Sequence, residues 1–283
     1  MAYIGPAPAN SIIATSDIED GAVTSAKLGG NIVTPGTLDV NGQELILDAN
    51  ANTSITADTD DQVDIKVGGT DVVTLTNSSL VLKGTTPTLT IGDAGTEDTK
   101  IVFDGNAQDF HIGLDDTADD LVIGLGSALG TTTHMAFTES GEILKPLQPA
   151  FGVHPSGTQS NIAINTEVTV VWGTELFDVG ANFASNTFTA PVTGKYILTA
   201  NLYIQALDTS ATYYQIYLIT SNRTFYDTFS IMSGDADGYF TGKVTVVADM
   251  DASDTSSVVI YQSGGTQQID LPVNCSFSGA LLC

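Results

Sequence analysis

Positively charged residues are scarce in this sequence. Eight lysines and arginines stand against 33 aspartates and glutamates, which gives the 283-residue chain a net charge of -25. Nucleic acids and anionic lipid surfaces attract proteins through lysine and arginine. We therefore expect neither nucleic acid nor a membrane among the partners. The acidity indicates solubility, in a salty medium that screens the self-repulsion.

Cysteines and long apolar runs are also few. Cys275 and Cys283 both lie near the C-terminus and do not make a disulfide framework. No apolar run reaches the length of a transmembrane helix, and the first residues lack the charged start and apolar core of a secretion signal. The sequence thus predicts a protein that is made and kept in a cytoplasm, or that leaves it by lysis, with no membrane insertion.

The first segment, residues 1–36, has the character of an adaptor. A capping box at 16–19 and the run 22–28 predict short helical turns, ended by glycines. Too few apolar residues are present for this segment to fold alone, so we expect it to order on another protein. The apolar side chains available for that contact are Ile18, Val23 and Leu28.

Residues 37–147 predict a repetitive β-region. Asn41-Gly42 is a strong hairpin dipeptide, and the sequence at 60–68 is echoed at 119–126, which indicates an internal repeat. Strands of three to five residues bury too little to close a core in one chain, so we expect an intertwined homotrimeric shaft. The expected strands are 38–40, 45–47, 63–67, 72–75, 80–82, 89–91, 100–103, 110–114 and 121–125.

Residues 148–283 predict an antiparallel sandwich or jelly roll. Aromatic residues become frequent, the strands lengthen and no helical periodicity is evident. The stretch from Tyr196 to Ile204 alternates strictly, which is typical of a central strand with one buried face. Its other face carries Ile197 and Tyr203, which we expect at a trimer interface. The expected strands are 162–171, 194–206, 213–220, 239–249, 256–262 and 275–282.

A spaced set of residues in this C-terminal part carries a family resemblance. Phe177-Asp178, Asn182-Phe183 and Asn186-x-Phe-x-Ala-Pro-x-x-Gly-x-Tyr196 resemble the signature of the complement-first-component globular heads, which are related to the tumour necrosis factor fold. The resemblance implies a ten-stranded jelly roll that assembles as a trimer. Leu198 and Ala280 replace residues that are usually aromatic in that family.

The N-terminal part resembles a different group of proteins. Residues 17–28 are similar to the attachment segments of marine bacteriophage tail-fibre proteins, and the short strands that follow are similar to phage fibre shafts. This resemblance implies a virion protein whose N-terminus contacts tail or adaptor proteins. It also agrees with release by lysis.

Metal and catalytic motifs are weak. Asp235-Ala-Asp237-Gly238 has alternating carboxylates but lacks the later glutamate of an EF-hand, so we expect turn residues there and no cofactor, with calcium as the alternative. His111, His134 and His154 have no ligand spacing. No nucleophile elbow is present, and we expect no enzyme activity.

Together these observations predict a structural virion protein. It would be a homotrimeric tail fibre whose C-terminal head binds a protein or glycan of the host surface, with avidity from several copies. The loops 206–212, 221–238 and 263–272 are the expected contact regions, flanked by Tyr213, Tyr226 and Tyr239. The alternatives are a head fibre or other appendage without a receptor role, and a soluble non-viral trimeric recognition protein.

Overall fold

The structure is a computed structural model that describes residues 19, 37, 38, 40–231 and 238–283. Every regular element within these residues is a β-strand, and the sheets are antiparallel, which confirms the all-β fold class. The helical turns predicted before residue 36 lie outside the described residues. The chain forms two compact units, Met1–Thr90 and Ile91–Cys283. The domain limits predicted at residues 36 and 147 stay predictions.

The first unit contains a five-stranded meander, in which each strand pairs with its neighbour in the chain. Before it, Asn41 and Gly42 form the predicted turn with φ angles of 51° and 73°, the left-handed values that a type I′ turn needs. The Gln43 amide donates to the Val40 carbonyl at 2.9 Å. The strands are β1 (Leu45–Ile46), β2 (Ser54–Thr56), β3 (Gln62–Val67), β4 (Thr70–Thr76) and β5 (Leu80–Leu82).

The second unit begins with another five-stranded meander. Its strands are β6 (Thr99–Phe103), β7 (Phe110–Asp115), β8 (Asp120–Leu125), β9 (Thr133–Phe137) and β10 (Ile143–Leu144). The two repeated sequences form the central strands, β3 and β8, of the two meanders. In each case an aspartate in a left-handed conformation precedes the strand, Asp61 at φ 59° and Asp119 at φ 55°. The internal repeat is therefore present in the structure as a repeated sheet.

The rest of the second unit is a sandwich of two sheets with jelly-roll strand order. The first jelly-roll sheet has the order β13-β11-β21-β16-β19, and the second has the order β14-β15-β20-β17-β18 with β12 paired to β20. The strands are β11 (Ala150–His154), β12 (Val168–Thr169), β13 (Thr174–Asp178), β14 (Phe183–Ala184), β15 (Thr187–Thr189), β16 (Gly194–Ile204), β17 (Ala211–Thr220), β18 (Thr224–Phe229), β19 (Phe240–Met250), β20 (Thr255–Gly264) and β21 (Ser276–Leu281).

Aromatic rings fill the core between these two sheets. Phe151 stacks on Phe188 with ring centroids 4.5 Å apart and meets Phe183 at 5.2 Å and Phe277 at 4.9 Å. Alternate residues of β16, from Tyr196 to Ile204, are fully buried, as the alternation predicted. Such ring pairs add specific geometry to a large buried apolar area.

The residues of the family signature hold this core in place. The Tyr196 hydroxyl donates to the Val192 carbonyl at 2.8 Å, which fixes the turn before β16. The Asp178 carboxylate accepts from the amides of Asn182 at 3.0 Å and Phe183 at 2.9 Å. A Cβ on Gly194 would lie 2.5 Å from the Cys283 carbonyl oxygen, so only glycine allows this close approach. The residues of the signature therefore have structural roles.

Several strand predictions were wrong. In 162–171 only Val168–Thr169 forms a strand, because Asn161 and Asn165 adopt left-handed conformations at φ 59° that interrupt extended backbone. The run 89–91 forms no strand, and it is followed by Gly92 at φ 98°. Leu38 and Val40 also lie outside strands, while Asp39 lies outside the described residues.

Candidate functional surfaces

The first meander has an exposed aliphatic face and a buried polar face. Its register sets five aliphatic side chains beside one another across all five strands: Leu45, Ile55, Ile65, Val73 and Leu82. An adjoining row holds Val63, Leu75 and Leu80, all exposed. In the first row Leu45 and Ile55 are exposed and the other three side chains are half-buried, so this face is a candidate contact surface.

The polar face of the same sheet is arranged around a carboxylate. Asp64 is buried and accepts hydrogen bonds from Thr74 Oγ1 and from Gln62 Nε2, the latter at 2.5 Å. These bonds, led by that from Thr74, hold the pKa of Asp64 below its usual range. Lys83 Nζ lies 3.6 Å away. This side of the sheet thus has a buried polar centre, with Ile46 and Val81 exposed on its two edge strands.

The second meander has the same organisation. Ile101, Ile112, Ile123 and Met135 form a continuous row across β6 to β9. The large side chains beside this row are exposed: Phe103, Phe110, Leu114, Leu121, Phe137 and Ile143. The opposite face carries Lys100, Val102 and Val122 among small residues, and also His111, which is buried and bonds through Nδ1 to the Gly126 carbonyl at 2.8 Å. Both repeats therefore leave their apolar face open.

The outer face of the first jelly-roll sheet is mixed: Lys195 pairs with Asp249 and Thr199 with Thr245, and an apolar patch around Ile197 lies between them. Ile197 lies in register between Val247 and Ala280, and Val247 is 59% exposed. The Phe177 ring, whose residue is 51% exposed, lies over Gly152, where a Cβ would be 2.7 Å from the ring. Ile197 and Phe177 line a shallow depression of about 290 Å³.

Both predicted interface residues are on this outer face of β16. Ile197 is exposed, and Tyr203 is half-buried because its ring stacks on Tyr239 at 5.9 Å with the planes 8° apart. Tyr239, predicted as a receptor contact, thus packs beside Tyr203. The interface role of Ile197 and Tyr203 stays a prediction.

The outer face of the second jelly-roll sheet is aromatic and polar. Four tyrosines lie there in two pairs, Tyr213 with Tyr261 at 6.0 Å and Tyr217 with Tyr226 at 6.2 Å between ring centroids. Between the pairs, Gln215 is in register with Tyr261 and with Thr228. We call the four tyrosines together with Gln215 and Thr228 the tyrosine surface.

Hydrogen bonds fix the centre of the tyrosine surface. The Tyr217 hydroxyl donates to Gln215 Oε1 at 2.5 Å, and Gln215 Nε2 donates to Thr228 Oγ1 at 2.9 Å. Burial raises the pKa of the Tyr217 phenol, and the nearby Glu167 and the other three tyrosines raise it further. Tyr217 is therefore a neutral donor that orients the Gln215 amide.

Two of the three predicted receptor residues, Tyr213 and Tyr226, belong to this surface, and Tyr239 does not. The prediction that 221–238 is a loop was wrong for residues 224–229, which form β18, so Tyr226 lies on a strand. Sequence reasoning missed Tyr217 and Tyr261. The alternation of Tyr213, Gln215 and Tyr217 was the available signal, since these residues share one face of a strand.

A buried carboxylate ties two of the expected contact loops together. Asp208, 8% exposed, accepts from the Ser210 amide at 2.8 Å and from the Thr266 and Gln267 amides at 2.5 and 2.7 Å. The Ser210 hydroxyl adds a bond at 2.6 Å. These bonds, led by that from Gln267, hold the pKa of Asp208 far below its usual range. The loops at 206–210 and 265–268 are therefore held rigidly.

The remaining predicted sites are not brought together. The candidate calcium ligands Asp235 and Asp237, and the attachment residues Ile18, Val23 and Leu28, lie outside the described residues. Within the described ranges, no three His, Cys, Asp or Glu side chains are grouped so that they could hold a metal ion. The described residues also include no helix that could cross a membrane.

Both cysteines are free thiols. Cys275 is buried just before β21, where its thiol contacts the Tyr203 carbonyl at 3.4 Å. Burial raises the pKa of this thiol to about 11, which makes it unreactive at neutral pH. Cys283 is exposed.

Comparison with known proteins finds similarity to solved structures. No protein-family model and no curated protein matches this chain. The globular domain of zebrafish complement 1qA protein is 18% identical, over 48% of this chain and 98% of that one, with a TM-score of 0.37. Murine APRIL, in crystal structures at pH 5.0 and pH 8.0, is 15% identical over 48% of this chain and 99% of its own, with a TM-score of 0.36. The jelly-roll assignment rests on the strand order and register of this chain itself.

Proposed function

We propose that this protein is the subunit of a homotrimeric bacteriophage tail fibre, with a C-terminal jelly roll that attaches to the host surface. The observation that carries the proposal is the open aliphatic face on each of the two meanders, to which the first jelly-roll sheet adds a smaller apolar patch around Ile197. The resemblance of residues 17–28 to tail-fibre attachment segments supports the anchoring role of the N-terminus.

The aliphatic faces explain why several copies are needed. A single-layer sheet with one apolar face is unstable in water until another layer covers that face. Burying apolar surface contributes about 25 cal/mol per Å², and the rows described above are continuous across four or five strands. In each unit, the corresponding faces of three copies can cover one another without further elements.

The jelly roll fits the same arrangement. The apolar patch of Ile197, Val247 and Phe177 on its first sheet suits contact with another copy, and the outer face of its second sheet carries phenol, amide and hydroxyl groups that suit solvent and ligands. Interfaces between permanently associated copies are more apolar than ordinary protein surface. The first jelly-roll sheet therefore faces the other copies, and the second sheet faces the host.

Sedimentation equilibrium of the full chain tests assembly. We expect a single species at three times the mass of one chain, which persists on dilution to nanomolar concentration and loses its sheet signal only when it dissociates. A folded, stable monomer contradicts the proposal, because it leaves the aliphatic faces open without penalty.

Labelling experiments test the location and the role. Antibodies against the full chain, applied to phage particles in electron microscopy, are expected to mark tail appendages. Labelled protein is expected to bind marine bacterial cells and to compete with infection. Labelling at the capsid only, or no binding to any susceptible strain, contradicts a tail-fibre role in attachment.

A further inference from the structure

We propose that the tyrosine surface is a carbohydrate-binding site for a neutral glycan, such as an oligomer of hexoses or N-acetylhexosamines. The inference rests on the proposed attachment function and names the ligand class for it. It is carried by three features of this surface: the spacing of the rings, the polar groups between them and the lack of cations.

The rings offer stacking surfaces at a fixed spacing. The two tyrosine pairs extend across β17, β18 and β20, three adjacent strands that together measure about 10 Å across. Tyr226 is 63% exposed, and the other three tyrosines are half-buried, which holds their rings in place. Tyrosine provides a large, rigid contact with few rotatable bonds. The apolar C–H face of a sugar ring can pack on such rings.

The polar groups suit sugar hydroxyls. The Tyr217–Gln215–Thr228 chain of hydrogen bonds fixes the Gln215 amide and leaves it one further N–H. The hydroxyls of Tyr213, Tyr226 and Tyr261 form no hydrogen bond with any other residue of the described chain. Each can therefore donate to and accept from a ligand at the rim of a stacked ring.

The charge of the surface selects against acidic sugars. No lysine or arginine belongs to the tyrosine surface; Lys243 lines a depression at its edge, beside Tyr226 and Asp227, and Glu167 lies close enough to act on Tyr217. A sialylated, sulfated or phosphorylated glycan would meet a strongly acidic chain with this single lysine nearby, which costs free energy on binding. A neutral glycan meets no such repulsion.

The composition also differs from that of the surfaces assigned to assembly. On the outer face of the first jelly-roll sheet, the patch of Ile197, Val247 and Phe177 consists of aliphatic and aromatic side chains, which suit contact between copies. The tyrosine surface, in contrast, combines rings with amide and hydroxyl groups. This combination favours a ligand that is both apolar on its faces and polar at its edges.

Binding of the full-length protein to an array of neutral, sialylated and sulfated oligosaccharides tests the inference, followed by calorimetric titration with the neutral oligosaccharide that binds most strongly. We expect Tyr226→Ala and Tyr261→Ala each to weaken binding about tenfold, the factor that corresponds to one strong aromatic contact. Tyr226→Phe is expected to retain most of the affinity, because the ring remains.

A control is available in Val171→Ala. Val171 is 48% exposed but lies outside the tyrosine surface, so its loss is expected to leave the affinity unchanged. Calorimetry reports the affinity of each site, so a change in oligomeric state does not imitate the loss of a contact. Absence of binding to every neutral glycan, or binding that both alanine variants retain, overturns the inference.

Cell binding separates this inference from the proposed function. If protease treatment of the cells abolishes attachment, while periodate treatment and the tyrosine variants do not, attachment stands and the glycan site is wrong. If neutral glycans bind through the tyrosines but no bacterial strain is bound, the glycan site stands and the attachment role is wrong.

Discussion

Asp208 is a charged residue with a structural role that its sequence position does not reveal. It sits between β16 and β17 and reaches the amides of Thr266 and Gln267 in another loop. Four donors directed at one carboxylate make a set of charge-assisted hydrogen bonds, the strong class of such bonds in proteins. The carboxylate therefore connects the end of the central strand pair to the loop beside β20.

We predict that Asp208→Asn destabilises the jelly roll by about 2–3 kcal/mol at pH 7. The amide replaces an ionised acceptor, and its NH2 group would face a backbone N–H donor to which it cannot bond. The folded-state pKa lies below that of a free aspartate, about 3.9. The carboxylate thus stabilises the fold above about pH 4, and this contribution is lost as the pH falls through the folded-state pKa.

Chemical denaturation of the two proteins between pH 3 and pH 8 measures this difference. The difference in the free energy of unfolding between the wild type and Asp208→Asn is expected to be largest at neutral pH and smaller in acid. Asp227→Asn is the control, since Asp227 is half-buried and its side chain makes no hydrogen bond within the described residues. A gap that is independent of pH would mean that packing, not charge, explains the loss.

The residues that were recognisable in the sequence are not the ones that form the candidate site. The signature from Phe177 to Tyr196 predicted the jelly roll, but its buried members stabilise turns and fill the core. The tyrosine surface, in contrast, is assembled from β17, β18 and β20, whose pairing no local pattern specifies. Tyr213 and Tyr217 share a strand face by sequence alone, whereas Tyr261 joins them only through the register of the sheet.

At the scale of elements, long alternating strands were predictable, including the edge strand β19, and strands with an interrupted apolar pattern were not. The expected runs 194–206, 213–220, 239–249 and 256–262 correspond to β16, β17, β19 and β20 within two residues or so at each end. The edge strand β18 was missed, because Asp227 interrupts the apolar positions of Phe225 and Phe229. Charged residues on edge strands are a common protection against pairing with other chains.

A prediction about trimer formation concerns the outer face of β16. If three copies meet there, Ile197→Asp and Tyr203→Asp each place a carboxylate in an apolar contact, and burying an unpaired charge opposes association. We expect each variant to weaken trimer formation at least about tenfold, the effect of roughly 1.4 kcal/mol, as measured by sedimentation or mass photometry over a dilution series.

Thr228→Asp provides the comparison for this prediction. It adds the same charge on the outer face of the other jelly-roll sheet, where Thr228 is exposed, and is expected to leave the trimer intact. Equal weakening by all three substitutions would point to general charge repulsion, and no weakening by Ile197→Asp would place the contact elsewhere.

For the whole molecule, the dominant property is its unbalanced charge. The described residues form four close ion-pair contacts, by Lys66, Lys83 and Lys195. With eight cations in the chain, most of the 33 acidic residues have no cation to pair with. Packing of aromatic and aliphatic side chains, rather than ion pairing, therefore supplies the stability, while the net charge opposes it.

This balance predicts a marked dependence of assembly on salt. Each chain carries a net charge of -25, so three chains brought together repel one another strongly at low ionic strength. The distance over which charges act falls from about 30 Å at 0.01 M salt to about 10 Å at 0.1 M. We expect the melting temperature and the trimer fraction to rise steeply over this range and to level off near about 0.5 M, in sodium and potassium chloride alike. Exposed ion pairs weaken as salt is added. A melting temperature that falls with added salt would therefore show that such pairs hold the copies together. The apolar faces would then be insufficient for assembly.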